Sequence, residues 1–166
     1  RFQKNFPKKS NIEFFCDDIK SKNKKKIYGD LLYCSGVLSL FNDPKKLING
    51  LIERTNQKGK IIITSMLNPY HLDLIIRFRN NLAKENKING EGWNLHSINY
   101  LTKILKKNKK IRSFKFLKNK FPKNIKINPI KNDPLRSWTI NYKKENFFMN
   151  GLCLIQYHYF LVINVK

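Results

Sequence analysis

Residues 29–65 read "GDLLYCSGVLSLFNDPKKLINGLIERTNQKGKIIITS", and the order of signals in this stretch decides the fold. From Ile27 to Val37 nearly every position after Asp30 is apolar until Ser35-Gly36, the habit of a strand buried on both faces of a parallel sheet. Asp43 is placed to cap a helix and Pro44 suits its first position. Leu47, Ile48, Leu51 and Ile52 share one face, and Lys58-Gly59 is expected to end it. "KIIITSM" (60–66) follows as a β-branched strand. Strand, helix and strand in succession make a βαβ unit, whose crossover is expected to be right-handed.

Working outward, "NIEFFCDDI" (11–19) begins aromatic and ends in two acids, as a buried strand does where it emerges at a sheet edge. The lysines of 22–26 then form a solvated loop or short helix. "NPYHLDLIIRFRNNLAKEN" (68–86) starts at Pro69 and reads helically through Leu72, Ile75, Ile76 and Leu82. A loop, "INGEGWN", leads to an amphipathic helix over His96–Lys107 with Ile98, Leu101 and Leu105 inward. Ile111–Leu117 is expected as a strand. The Pro- and Lys-rich connection beyond it is too long for a tight turn and is expected to hold a small hairpin around Trp138–Tyr142. Leu152–Val165 closes the chain as a long aromatic and β-branched strand. At 166 residues this is read as one domain.

Lys and Arg outnumber Asp and Glu 34 to 11, for a formal charge of +23, which favours an anionic partner in general. The 28 Lys stand beside only 6 Arg, 22 Asn and 20 Ile, the joint excess of an AT-rich coding sequence. Nucleic-acid readers lean on Arg for bidentate contacts, so the lysines are read first as a solvated surface. Cys16, Cys34 and Cys153 lie far apart without a CxxC pair, which excludes a zinc ribbon and a disulfide framework and fits a reducing cytoplasm. The longest apolar runs fall well short of the roughly 20 residues that span a bilayer, so no membrane partner is expected.

In an open parallel sheet, ligands sit outside the carboxyl ends of the strands. That rule selects Cys16 to Ile19, Cys34-Ser35-Gly36-Val37 and Ser65 to His71. Paired acids at a strand end accept hydrogen bonds from an amine or a ribose, or are plain turn residues. Gly36 lets a backbone approach a ligand closely, or simply turns the chain. His71, His96 and His158 are unclustered and lack metal spacing, and His158, inside the last strand, is read as structural. Tyr70 and His71, just past the 60–66 strand, border a possible ligand as a base or positioning group, but are not read as catalytic. Trp93, Arg136 and Trp138 lie in variable segments that either cover a ligand or pack loops.

"NIEFFCDDI" followed by "GDLLYCSGVLSLFNDPKKLINGLIERTNQKGKIIIT" resembles class I S-adenosylmethionine-dependent methyltransferases from their third strand through their fifth. Asp18, or less well Asp17, matches the acid that ends the third strand, followed by Ile19. Asp30, Ser35-Gly36-Val37-Leu38, Asp43-Pro44 and Lys58-Gly59 match the fourth strand, its "SGVL"-like turn, the "DP" helix start and the turn before the fifth strand. The resemblance implies a Rossmann-like α/β sheet, mostly parallel with an antiparallel last strand and lacking its first strand–helix units. Residues 1–166 would then be the C-terminal two-thirds of one methyltransferase domain, with a variable insertion at about 118–150 and "RFQKNFPKKS" at the end of its second helix. It further implies S-adenosylmethionine as cofactor, with Asp17, Asp18 and Ile19 at adenine and Cys34, Ser35, Gly36 and Val37 along the methionine moiety. The acceptor would be an oxygen or nitrogen of a small molecule, and this fragment would be inactive.

Two departures matter. Ser39-Leu40 stand where family members often carry histidines, so no imidazole base carries over and the catalytic residues stay open; the usual second glycine of the later turn is Lys60. "NPY" (68–70) is similar to the N/D-P-P-Y loop of amino-methylating members but follows the fifth strand instead of the fourth, so Pro69 is read as helix punctuation. The one G-x-G, Gly90-Glu91-Gly92, falls in the loop after the 60–66 strand and not in a turn between a first strand and helix, so the family's glycine-rich cofactor turn is not matched. The alternatives are an RNA methyltransferase whose lysines track phosphates, or a binding module that never had the glycine turn.

Overall fold

The computed structural model describes residues 11, 13, 15–19, 26–82, 88 and 92–166. The expected second-helix end at 1–10 and the lysines at 22–25 lie outside the described residues.

The βαβ unit forms as the sequence dictates. Strand β1 (Gly29–Ser35) leads through a single 3-10 turn (Leu38–Leu40) to helix α1 (Pro44–Ile52) and then to strand β2 (Thr55–Asn68). Asp43 Oδ1 accepts from the Lys45 amide at 3.0 Å, the cap its position promised, and Pro44 occupies the first turn, where no amide is needed. The helix ends earlier than Lys58-Gly59. The Thr55 hydroxyl donates to the Leu51 carbonyl at 2.8 Å and the Arg54 guanidinium to the Gly50 carbonyl at 3.1 Å, so side chains satisfy the last turn. Lys58-Gly59 instead belongs to β2, in an irregular stretch where Gly29 pairs with Thr55 but Leu31 already pairs with Lys60. Lys58 takes the left-handed conformation (φ 61°), and Gly59 is confined: a Cβ there would lie 2.6 Å from the Thr55 methyl and 2.8 Å from the Asn56 carbonyl.

A short strand β3 (His96–Ser97) runs into helix α2 (Ile98–Lys107), capped by Ser97, whose hydroxyl accepts from the Tyr100 amide. Strand β4 (Ile111–Lys118) follows. A separate hairpin of β5 (Trp138–Tyr142) and β6 (Glu145–Met149) sits where a hairpin was expected, and β7 (His158–Val165) ends the chain. β7 begins six residues later than the sequence run, because Gln156 is tied to Phe148 of the hairpin by an isolated bridge.

The main sheet has the order β1-β2-β7-β4, with β3 attached to β2. β1 and β3 pair parallel to β2, and β7 pairs antiparallel to both β2 and β4, so β7 alone runs against the rest. The architecture is thus a mixed α/β sheet, mostly parallel, with a reversed last strand. α1 and α2 lie side by side against one face, their ends joined by an Asn108–Asn49 side-chain hydrogen bond. Leu47, Ile48 and Leu51 of α1, Leu101 and Leu105 of α2, and Ile61, Ile63, Leu161 and Ile163 of the sheet form one core. β1 stands at the end of the strand order and exposes Leu31 and Tyr33, each more than 60% accessible. No helix among the described residues is long and apolar enough to cross a membrane.

Two expectations fail for a shared reason. Residues 69–82 make no helix, and Asn11, Glu13 and Phe15–Ile19 make no strand. Asparagine and aspartate side chains capture the backbone first: Asn68 Oδ1 binds the Tyr70 amide, Asn94 Oδ1 the Ile76 amide, Asn80 Oδ1 the Leu82 amide and Asp17 Oδ1 the Asp18 amide. Leu72, Ile75 and Leu82 stay exposed instead of forming a helix face.

The core argument predicts that Ile63→Ala, fully buried in β2, destabilises the protein by about 2–5 kcal/mol. Asp43→Ala should cost about 1 kcal/mol through its lost cap. Denaturant midpoints compared with the unsubstituted chain check both.

Candidate functional site

Sheet direction determines what meets at the carboxyl ends of β1 and β2. Because β7 runs antiparallel, its first residue, His158, lies opposite Met66 near the end of β2. A cavity of about 360 Å³ opens at this edge. Its polar wall carries Ser35, Ser39, Thr64, Ser65 and Ser137 together with Gln156 and His158, and its apolar wall carries Leu40, Met66 and Trp93. Among the described residues no charged side chain lines it, in a chain of charge +23.

Much of the wall is fixed by hydrogen bonds. The Gly36 amide donates to the Thr64 carbonyl at 2.9 Å, and the Thr64 hydroxyl donates to Ser35 Oγ at 3.0 Å, so the ends of β1 and β2 are locked together. Gly36 holds φ 70° with nothing within 4 Å of a would-be Cβ; the glycine serves the turn and leaves open space beside the backbone. The Ser39 hydroxyl donates to the Gly36 carbonyl at 3.1 Å. Behind this loop, buried Asn94 donates from its backbone to Ser39 and from its amide to the Phe41 carbonyl and Asn42, and it accepts from the Ile76 amide and Arg77. His96 Nε2 donates to the same Phe41 carbonyl at 2.8 Å, which places its proton on Nε2.

Two buried polar atoms at the cavity have no partner among the described residues: Ser65 Oγ and His158 Nε2. Burial pushes the His158 pKa below the usual histidine value, so the ring is neutral at pH 7. Phe121 and Phe148 hold it edge-on at centroid distances of 5.2 and 5.6 Å. A neutral imidazole clamped between aromatics, with one nitrogen uncommitted, is equipped to accept a hydrogen bond or a proton from a ligand.

The structure divides the residues singled out in the sequence. Ser35 and Gly36 line the cavity. Cys34 faces the core, where burial raises its thiol pKa and keeps it protonated, and Val37 packs half-buried against the same core. Asp17, Asp18 and Ile19 lie at the other end of the sheet. Asp17 pairs with Arg54 at 2.9 Å, the Asp18 carbonyl accepts from the same guanidinium at 3.3 Å, and Ile19 crosses Gly50 of α1. Arg54 adjoins Gly29, the first residue of β1, so about 20 Å of strand at roughly 3.3 Å per residue separates these acids from Ser35. Tyr70 and His71 are exposed and absent from the cavity wall, whereas Trp93, in a left-handed conformation (φ 31°), is part of it.

The sequence reading took His158 as structural; the structure places it on the cavity wall, because the start of a reversed last strand falls at the edge where the parallel strands end.

No protein-family model matches the chain, and no curated protein matches it.

His96 and His158 both have pKa values lowered, chiefly by burial. A lowered folded-state pKa means that the unfolded chain binds protons first as pH falls, so stability is full above about 6.5 and is lost as pH drops through the folded values. Thermal midpoints measured from neutral to mildly acidic pH should fall in that window, and His158→Gln should flatten the fall. A pH-independent midpoint would contradict the neutral buried rings.

Proposed function

We propose that the chain is part of an S-adenosylmethionine-dependent methyltransferase and that the neutral cavity receives the methyl acceptor. The observation that carries this reading is the placement of the cavity at the carboxyl ends of β1 and β2, in a sheet ordered β1-β2-β7-β4 with only β7 reversed. The resemblance drawn from the sequence calls for a fourth and a fifth parallel strand joined by a helix and a reversed last strand, and β1, α1, β2 and β7 supply that sequence of elements.

The residues at the edge suit the methyl-bearing end of the cofactor. Ser35 offers a hydroxyl, the Gly36 backbone has open space beside it, and the uncharged wall spares a sulfonium cation the repulsion that lysines would impose. When bound, the cofactor supplies an electrophilic methyl group. Asp17 does not fit the adenine role as placed, its carboxylate being paired with Arg54 at the far end of β1, where the Asp18 carbonyl accepts from the same guanidinium. The exposed apolar edge of β1 suits pairing with further strands, which would carry the glycine-rich turn missing from these 166 residues.

On the acceptor side, an uncharged wall rich in hydroxyls selects an uncharged oxygen or nitrogen group, free or borne on a larger molecule. His158 Nε2 would orient that group and take the proton it loses as its bond to carbon forms. Ser65 Oγ would hold a second polar atom of the acceptor.

With S-adenosylhomocysteine at millimolar concentration, amide signals of Ser35, Gly36 and Ser39 should shift in a nitrogen–proton correlation spectrum. Calorimetry at micromolar protein should show no saturable heat. Unmoved signals would overturn the cofactor assignment, and tight binding would overturn the claim that half of the cofactor site lies on further strands.

A further inference from the structure

A second cavity, of about 320 Å³, lies where the end of β4, the segment after it, the tip of the β5–β6 hairpin and the approach to β7 meet. Lys118, Lys120, Lys123, Lys143 and Lys144 surround it, against one acid, Glu145. Glu145 is already held by Lys118 at 2.8 Å, which leaves four lysines of the wall without an ion-pair partner among the described residues. Phe121, Phe147, Tyr157 and His158 supply ring surface to the same walls.

The hairpin tip is built at a conformational cost. Lys143 (φ 50°) and Lys144 (φ 65°) both occupy the left-handed region, in a two-residue turn where Asn-Gly is the favoured pair. Two lysines held in strained backbone beside an already basic cleft mark the tip as a site of use. The cleft also shares a wall with the neutral cavity at the sheet edge, because Gln156 and His158 line both.

A basic cleft with aromatic walls, next to a cavity with hydrogen-bonding groups, matches a chain of alternating phosphates and bases. The geometry points to a binding site for single-stranded nucleic acid, with phosphates on Lys120, Lys123, Lys143 and Lys144, bases against the rings, and one base able to enter the neutral cavity. A duplex keeps its bases stacked on one another and away from these rings, which favours the single strand. Among the described residues the cleft carries no arginine, so binding tolerates many sequences, since base-edge readout relies mainly on bidentate groups. This placement narrows the general reading of the lysines as solvated surface. Nucleic-acid binding stands by itself; only the entry of a base as methyl acceptor rests on the proposed methyl transfer.

Fluorescence anisotropy of labelled single-stranded RNA and DNA oligonucleotides, titrated with the chain at several salt concentrations, tests it. Four phosphate contacts predict that the logarithm of the affinity falls with the logarithm of salt at a slope of about −3. Lys143→Asn with Lys144→Gly, a pair that the turn prefers and that should fold at least as stably, should make the slope shallower by about 1.4 and weaken binding. Replacing Lys106, Lys107, Lys109 and Lys110, which lie outside the cleft, by Gln should change it less. Equal effects from the two sets, or polyphosphate or anionic vesicles bound as tightly as the oligonucleotides, would overturn the site as a nucleic-acid cleft. Tighter binding of RNA than of DNA would place a ribose hydroxyl in the site; equal binding would leave phosphates and bases as what is recognised. Oligonucleotide binding without methylation by the complete enzyme would remove methyl transfer to nucleic acid and leave the cleft standing.

Discussion

The hydrogen-bond ladder between Lys60–Met66 and His158–Asn164 is the constraint on which the other features rest. β7 lies between β2 and β4, so without it β4 has no place in the main sheet and the α2 side of the core loses its floor. Running a last strand backwards also moves residues of the chain's end to the edge where the parallel strands finish. That single reversal puts His158 and Gln156 beside Ser35 and Gly36, which lie more than a hundred residues earlier. Long-range pairing of this kind is entropically costly to form and is held by buried aliphatic side chains, with Ile61, Ile63, Leu161 and Ile163 all shielded from water.

The edge so assembled separates two chemical environments by little more than the width of one imidazole. On one side the wall is neutral and hydroxyl-rich; on the other it is lysine and aromatic. His158 belongs to both, uncharged because it is buried and held between phenylalanines. Sequence composition averages over such differences. A charge of +23 spread along 166 residues reads as genome bias, a reading that does not register the five lysines gathered on one cleft.

What was legible in the sequence was what local physics fixes. The Asp43-Pro44 helix start, the β-branched strand around Ile61–Ile63, the amphipathic helix at 98–107 and the small hairpin are each specified by residues within a few positions of one another. The Ser35-Gly36 turn was legible as a turn for the same reason, and the structure sets it on the cavity wall. The failures come from competition that periodicity does not register. In 68–82 the apolar spacing suggests a helix, but Asn68, Asn80 and the distant Asn94 bind the amides that the helix would need. At 15–19 a side-chain bond within the acid pair and the clasp of Arg54 hold the chain against α1 at the amino end of the sheet. His158 was passed over because its importance depends on strand direction, a property of the whole sheet.

The antiparallel register of β7 against β2 is therefore the claim to test most directly. Nuclear Overhauser contacts between backbone protons in an isotope-labelled sample read it residue by residue. The account predicts contacts pairing Ile61 with Ile163, Ile63 with Leu161 and Met66 with His158, so that partners descend along β7 as they ascend along β2. Contacts that ascend together, or that leave His158 paired near Lys60, would contradict it and remove His158 from the edge where both cavities meet.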